Sequence, residues 1–190
     1  MHRALISWSG GKDSAWALRL AREAGIEPVA LLTTYNETSA NIPIHDVPLA
    51  WIQRHSETLG IPLRTVPLPW PCGNDEYLRR VSVALASAVR DGMDTIVFGD
   101  IHLADIRAFR EKALAGSGLT PLFPLWGSDS AHLAHDMIAA GIHATVTAVD
   151  DSRLGQENVG RRFDTAFLAG LPPDVDPCGE NGEFHTAVWL

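Results

Sequence analysis

Lysine is nearly absent from this 190-residue chain: Lys12 and Lys112 stand against thirteen arginines. The arginine bias suggests a GC-rich bacterial genome and carries no folding information. Cysteine is equally scarce, and Cys72 and Cys178 form no CxxC pair. That argues against a disulfide scaffold and for a reducing compartment. No run of 18 apolar residues occurs, so no membrane-spanning helix is expected. The opening "MHRALISWSGG" lacks a long apolar stretch and a cleavage site, so no signal peptide is expected. Excess positive charge is missing too. A net charge of −8 argues against a surface built to grip nucleic acid. These absences leave a soluble cytoplasmic protein as the default.

What is present is ordinary for a globular protein, with 46% hydrophobic and 20% charged residues. The length suits one sizeable core, or one domain with a small appendage. Strand-like and helix-like stretches alternate. Strands are expected at 4–8, 28–35, 62–68, 95–101 and 143–150. Helices are expected at 13–25, from about 46 to 60, and at 74–92, 103–116, 129–140 and 159–169. Asp13 or Ser14 is a candidate cap for the first helix and Asn74 for the third. Such alternation predicts a five-stranded parallel sheet covered on both faces, carrying the nucleotide site in a domain that runs to about residue 125. A small α/β region, 126–190, is expected to close over it. The final stretch 171–190 is rich in helix and strand breakers and reads as a surface loop or, given its polar residues, a site.

The stretch "ISWSGGKDSAWAL" (6–18) carries the clearest chemistry. It follows a strand and opens a helix, the context a phosphate site requires. The first N–H groups of that helix lack intrahelical partners and hold the positive end of its dipole. Gly10 and Gly11 let the backbone curl around phosphate oxygens; Ser9, Lys12 and Ser14 add donors. Asp13 repels phosphate unless a cation such as Mg²⁺ bridges them. A kinase-type loop is excluded, because Ile6 stands where its first glycine belongs and Asp13 where it needs Ser or Thr.

SGGKDS after an apolar strand resembles the PP-loop ATP pyrophosphatase superfamily, whose loop holds the pyrophosphate leaving from ATP. Three further blocks resemble the diphthine–ammonia ligase family within it. They are "NIPIHDVPLAWIQRHSETLGIPL" (41–63), "FGDIHLADIRAFREKALAGSGLTPLFPLWG" (98–127) and "DPCGENGEFHT" (176–186). Members of that family usually run on past the last motif with more strand and loop, whereas four residues follow Thr186 here.

The resemblance implies an adenine-nucleotide alpha-hydrolase-like (HUP-type) α/β fold, with a PP-loop domain at 1–125 and a substrate region at 126–190. It implies ATP and Mg²⁺ as the nucleotide and ion, and ammonia and a carboxylate as the joined substrates. Diphthine itself belongs to archaeal and eukaryotic translocation factor, so a bacterial member has another acceptor. Ser9, Gly10, Gly11, Lys12, Asp13 and Ser14 are the implied nucleotide site. Asp13 and Asp100 are candidate metal ligands, with a turn cap as the alternative for Asp100. Glu180, Glu183 and His185 are candidate groups for handling ammonia and its proton. His45, Arg107, Arg110, Asn181 and Thr186 are candidate substrate contacts, although the two arginines fit an exposed salt-bridged helix face equally well.

Two alternative function classes and two minor features stand beside this one. Cys178 as a sulfur carrier would make the protein a tRNA-thiolating enzyme, and an ATP- or AMP-binding module without chemistry is a third class. His132 and His135 suit a polar helix face better than a metal site, and Trp8 and Trp16 suit core packing better than adenine stacking. A homodimer is the default expectation for an enzyme of this kind.

Overall fold

The computed structural model describes residues 2–190. Its centre is a parallel sheet of β1 (Arg3–Ser7), β2 (Glu27–Asn36), β5 (Leu63–Leu68), β6 (Thr95–Val97) and β7 (Thr120–Leu122), in the order β5-β2-β1-β6-β7. Alternate residues of each strand serve opposite faces. Ala4, Ile6, Leu31 and Val97 enter one core cluster, whereas Leu5, Ala30, Leu32, Ile96 and Phe98 enter the other. Because both faces are covered, the strands read as continuous apolar runs rather than alternating ones.

The first face is covered by α1 (Lys12–Glu23), α2 (Leu49–Leu59) and α5 (Ser130–Ala139). α3 (Asn74–Arg90) and α4 (Ala104–Leu114) pack on the second. The segment after residue 125 shares the first core: Leu125, Met137, Val146, Phe167, Phe184 and Val188 pack in one cluster with Ile6, Trp16 and Leu18. It consists of α5, β8 (Ala144–Val149), the short α6 (Thr165–Ala169) and β9 (Phe184–Val188), with β8 and β9 antiparallel. Trp8 and Trp16 are both buried in that core.

Several expected boundaries move, each for a local reason. The strand expected over 95–101 stops at Val97, because its partner β7 offers only three residues; Asp100 therefore lies on the following loop. A single helix over 159–169 does not form. Gly160 takes a φ of +87°, and the Asp164 side chain accepts from Phe167 N at 2.9 Å, so the helix starts only at Thr165. The breaker-rich tail ends in a strand, since Phe184–Val188 escapes the prolines and glycines before it. Neither Asp13, Ser14 nor Asn74 caps a helix: the caps are Gly11 and Gly73. Val47–Pro48 is β4, paired with β3 (Asn41–Ile42) in a small hairpin, and α2 begins after it.

Candidate active site

The strand order reverses around β1, and the glycine loop leaves β1 at its carboxyl end, where open α/β sheets bind ligands. Gly10 has a φ of +79°, and a Cβ there would lie 2.5 Å from Ile52 Cδ1. A Cβ on Gly99, in the loop after β6, would lie 2.9 Å from the Asp13 carbonyl carbon. Gly10 is favoured by its left-handed φ, and Gly99 is required by close backbone approach.

The last strand completes the loop. Val188 N donates to Gly10 O at 2.8 Å, and Lys12 N donates to Thr186 Oγ1 at 3.2 Å. His45 Nδ1 lies 3.3 Å from Thr186 O, which hangs the β3–β4 hairpin over the same turn. A polar cavity of about 200 Å³ results, lined by Ser7, Ser9, Lys12, Asp13, Ser14, His45, Gly99, Asp100, Arg110, Gly179, Glu180, Phe184, His185 and Thr186. A second cavity of about 510 Å³ adjoins it on the α3–α4 side, and Ser7, Ser9, His45 and Arg110 line both.

Lys12 is 1% exposed. Its Nζ donates to Asp13 Oδ2 at 3.0 Å and to Cys178 O, and lies 5.3 Å from the ring centres of both Phe163 and Phe184. Burial alone would lower its pKa, but Asp13, Cys178 and Glu180 outweigh it and hold the ammonium above its ordinary value. Asp13 Oδ1, by contrast, is buried with no protein partner. Asp100 pairs with Arg110: Nη2 donates to Oδ1 at 3.0 Å, and Nε lies 2.7 Å from Oδ2 without hydrogen-bond alignment. Arg110 also stands on the Phe98 ring, 4.5 Å from its centre.

The tail residues divide. Glu180 lines the cavity, and its Oε1 accepts from Ile101 N at 2.7 Å and His102 N at 3.3 Å. Burial, with Asp13 and Asp100 nearby, pushes its carboxyl up despite those bonds. Glu183 is 1% exposed and does not line the cavity. Its oxygens accept from Asp176 N, Asn181 N and Asn181 Nδ2, each at 3.0 Å, which shapes the loop. Asn181 is exposed and lines neither cavity. His185 packs 4.9 Å from His45, ring centre to ring centre. Burial, then His45 and Lys12, pushes His185 down to about 4, and burial likewise lowers His45. Arg107 lies outside both cavities; it pairs with Glu111 at 2.8 Å and stacks over Phe123 and Trp126. Cys178 is buried and donates its thiol to Ser130 O at 3.3 Å; burial pushes it up to about 12.

Mg²⁺ is commonly held by one or two carboxylates together with phosphate oxygens; of the two candidate ligands, Asp13 has an oxygen without a protein partner, whereas both oxygens of Asp100 face Arg110. The orphaned Asp13 Oδ1 is an acceptor that such an ion would satisfy. Ser7, Gly99 and Phe184 also line the cavity but had no role in the sequence reading. Only Gly99, a glycine just past an apolar strand, gave a signal.

A glycine loop at the sheet's switch point, with a buried lysine and an aspartate in it, defines a PP-loop ATP pyrophosphatase. The chain belongs to the family described as the diphthamide synthase N-terminal domain, whose model matches residues 2–121. Among solved structures, a predicted subunit of tRNA methyltransferase from Methanocaldococcus jannaschii is similar in fold. Its TM-score is 0.51 at 14% identity, over 100% of this chain and 97% of that one. No curated protein matches the sequence significantly.

Proposed function

We propose that the protein is an ATP-dependent ligase that joins a carboxylate to ammonia. The observation that carries this reading is the polar cavity, in which the loop's Lys12 and Asp13 meet Asp100, Arg110 and the tail residues Glu180 and His185. A carboxylate oxygen attacks the α-phosphorus of ATP; the bond to the bridging oxygen breaks, and pyrophosphate leaves. Ammonia then adds to the acyl carbon, one proton is lost, and the bond to AMP breaks to leave the amide. A carboxylate becomes acylating only when one oxygen belongs to such a leaving group.

Lys12 and the α1 terminus neutralise the departing pyrophosphate. Asp13 and Asp100 would hold Mg²⁺, which when bound would supply further charge neutralisation on the phosphates. Arg110 meets the acceptor carboxylate at the boundary of the two cavities, and the ribose and base lie along Ser7, Ser9 and Thr34 at the strand ends. Glu180, with its carboxyl pushed up, accepts the proton that ammonia loses. His185, neutral at pH 7, orients the nitrogen as a hydrogen-bond partner. Glu183 is a positioning residue for this loop.

A sulfur-carrier role for Cys178 has no support in its surroundings: the thiol is buried, engaged and far from thiolate formation. The test is a pyrophosphate-release screen over carboxylic acids, with and without ammonium, on the native chain and Asp13→Ala. Acid-dependent release of AMP and pyrophosphate, lost in Asp13→Ala, is expected. Nucleotide binding without release for any acid favours a binding module instead.

A further inference from the structure

We propose that His45 and His185 form the subsite for the nitrogen nucleophile and that, with Glu180, they select ammonia over primary amines and water. This rests on the ligase reading above and deepens it, by giving His45 a role and stating what the site excludes.

His45 is at the tip of the β3–β4 hairpin, and that tip is strained. Ile44 and Asp46, on either side of it, take φ of +72° and +51°, a left-handed conformation that a β-branched residue such as isoleucine rarely adopts. Ile44 is left 66% exposed while the imidazole turns in over the loop, where a Cβ on Gly11 would lie 3.1 Å from His45 Cε1. Hydropathy alone would bury the isoleucine and expose the histidine. Backbone strain persists where surrounding contacts hold it, and it gathers at functional sites. Here Asn41 Nδ2 donates to Asp46 Oδ1 at 2.9 Å, and Asp46 N donates to Ile42 O at 3.0 Å.

One hydrogen bond fixes the His45 tautomer. Thr186 O can only accept, so Nδ1, 3.3 Å away, carries the proton and Nε2 keeps a lone pair. Neutral His185, its ring centre 4.9 Å from that of His45, also keeps a lone pair on one nitrogen. Burial holds both rings neutral at pH 7; Lys12 adds to this at both, and Asp13 opposes it at His45 without outweighing it. Glu180 is the third acceptor. Its Oε1 takes the Ile101 and His102 N–H groups, which leaves Oε2 for a ligand. Gly179 abuts Phe184, where a Cβ would lie 2.6 Å from Phe184 O, so Glu180 and His185 share one wall. All three acceptors line the smaller cavity.

Ammonia has three N–H donors and one lone pair. Three acceptors engage the donors and leave the lone pair to form the bond to the acyl carbon. Glu180 takes the proton from the N–H it holds, and the bond to AMP breaks with its electron pair leaving on AMP. Water has only two donors, and a primary amine puts a carbon where a donor belongs. Either one strands a buried acceptor.

The test reads binding apart from turnover, on the full chain with MgATP. Protein labelled at histidine nitrogen is titrated with ammonium, methylammonium and sodium chlorides at mildly alkaline pH, and the imidazoles are followed by NMR. The His45 and His185 signals should shift saturably with ammonium, about tenfold more weakly with methylammonium, and not with sodium. In His45→Asn the amide nitrogen replaces Nδ1 on Thr186 O, and nothing replaces Nε2. That variant should melt like the native chain and, read on His185, bind ammonium about five- to tenfold more weakly. With an acid accepted in the release screen, its KM for ammonium should rise by the same factor. Equal binding of methylammonium, shifts no larger than those from sodium, or undiminished ammonium binding by a folded His45→Asn would overturn the proposal. The amine comparison needs no variant and decides even if His45→Asn fails to fold. Saturable ammonium binding with no acid supporting amide formation would sink the ligase reading and leave the nitrogen site standing. Amide formation untouched by His45→Asn would do the reverse.

Discussion

Thr186 Oγ1 accepts the backbone N–H of Lys12 at 3.2 Å, joining the final strand to the first turn of the first helix. A residue 174 positions away thus satisfies one of the donors that every helix N-terminus leaves open. The phosphate loop is half built by the C-terminal segment. Thr186→Val keeps the shape and removes the acceptor. It should cost about 1 kcal/mol of stability and weaken ATP binding several-fold, read by urea denaturation and by nucleotide titration.

Gly99 sets the distance between the loop after β6 and the start of α1. A Cβ there would lie 2.9 Å from the Asp13 carbonyl carbon and 3.1 Å from Ser14 N, both backbone atoms that cannot swing away. Gly99→Ala should therefore destabilise by about 1–3 kcal/mol and reduce ATP affinity. Gly116→Ala serves as the control, because a Cβ meets no atom there, although its φ of +74° still imposes local strain. The control should melt lower than native yet bind ATP normally.

His185 predicts a pH dependence with a definite sign. Its folded pKa of about 4 lies below the ordinary 6.5, so the unfolded chain binds more protons between those values. Stability from this group is fully present above pH 6.5 and is lost as pH falls towards 4. His45 and His55 are lowered in the same direction. The urea midpoint should fall from pH 6.5 to 4, and His185→Gln should flatten part of that fall.

Cys178 offers a clean separation of thiol chemistry from packing. Its thiol donates to Ser130 O inside the core. Cys178→Ser keeps a donor in place, so it should cost about 1–2 kcal/mol for burying a hydroxyl and leave pyrophosphate release within threefold of native. Loss of turnover in a folded variant would revive a sulfur-transfer role.

The loop was legible because strand, glycines, lysine and aspartate are contiguous, so one window of sequence holds the whole phosphate device. Four of the sheet's strands were legible from doubly buried runs, whereas the strand expected over 143–150 pairs antiparallel with β9 outside that sheet. Four short strands were not legible. β7 is three residues with Pro121 in the middle, β3 and β4 are two residues each, and β9 follows a stretch of prolines and glycines that masks it. β7 and β9 depend on partners distant in sequence, β6 and β8, whereas β3 and β4 pair with each other but are too short to show a period. Long-range contacts also explain the side chains that sequence passed over. Nothing near Lys12 in the chain announces that Phe163 and Phe184 flank its ammonium. Nor does the spacing of Arg107 and Arg110 reveal that only Arg110 reaches the cavities.

The most direct test of the central claim follows which anhydride of ATP breaks. With an accepted acid and ammonium present, ATP carrying a methylene between its β and γ phosphorus atoms should still yield AMP, together with the methylene analogue of pyrophosphate. ATP with the methylene between α and β should bind and yield no AMP. Loss of turnover with the β,γ analogue, and cleavage of the α,β analogue to release free phosphate, would contradict the account.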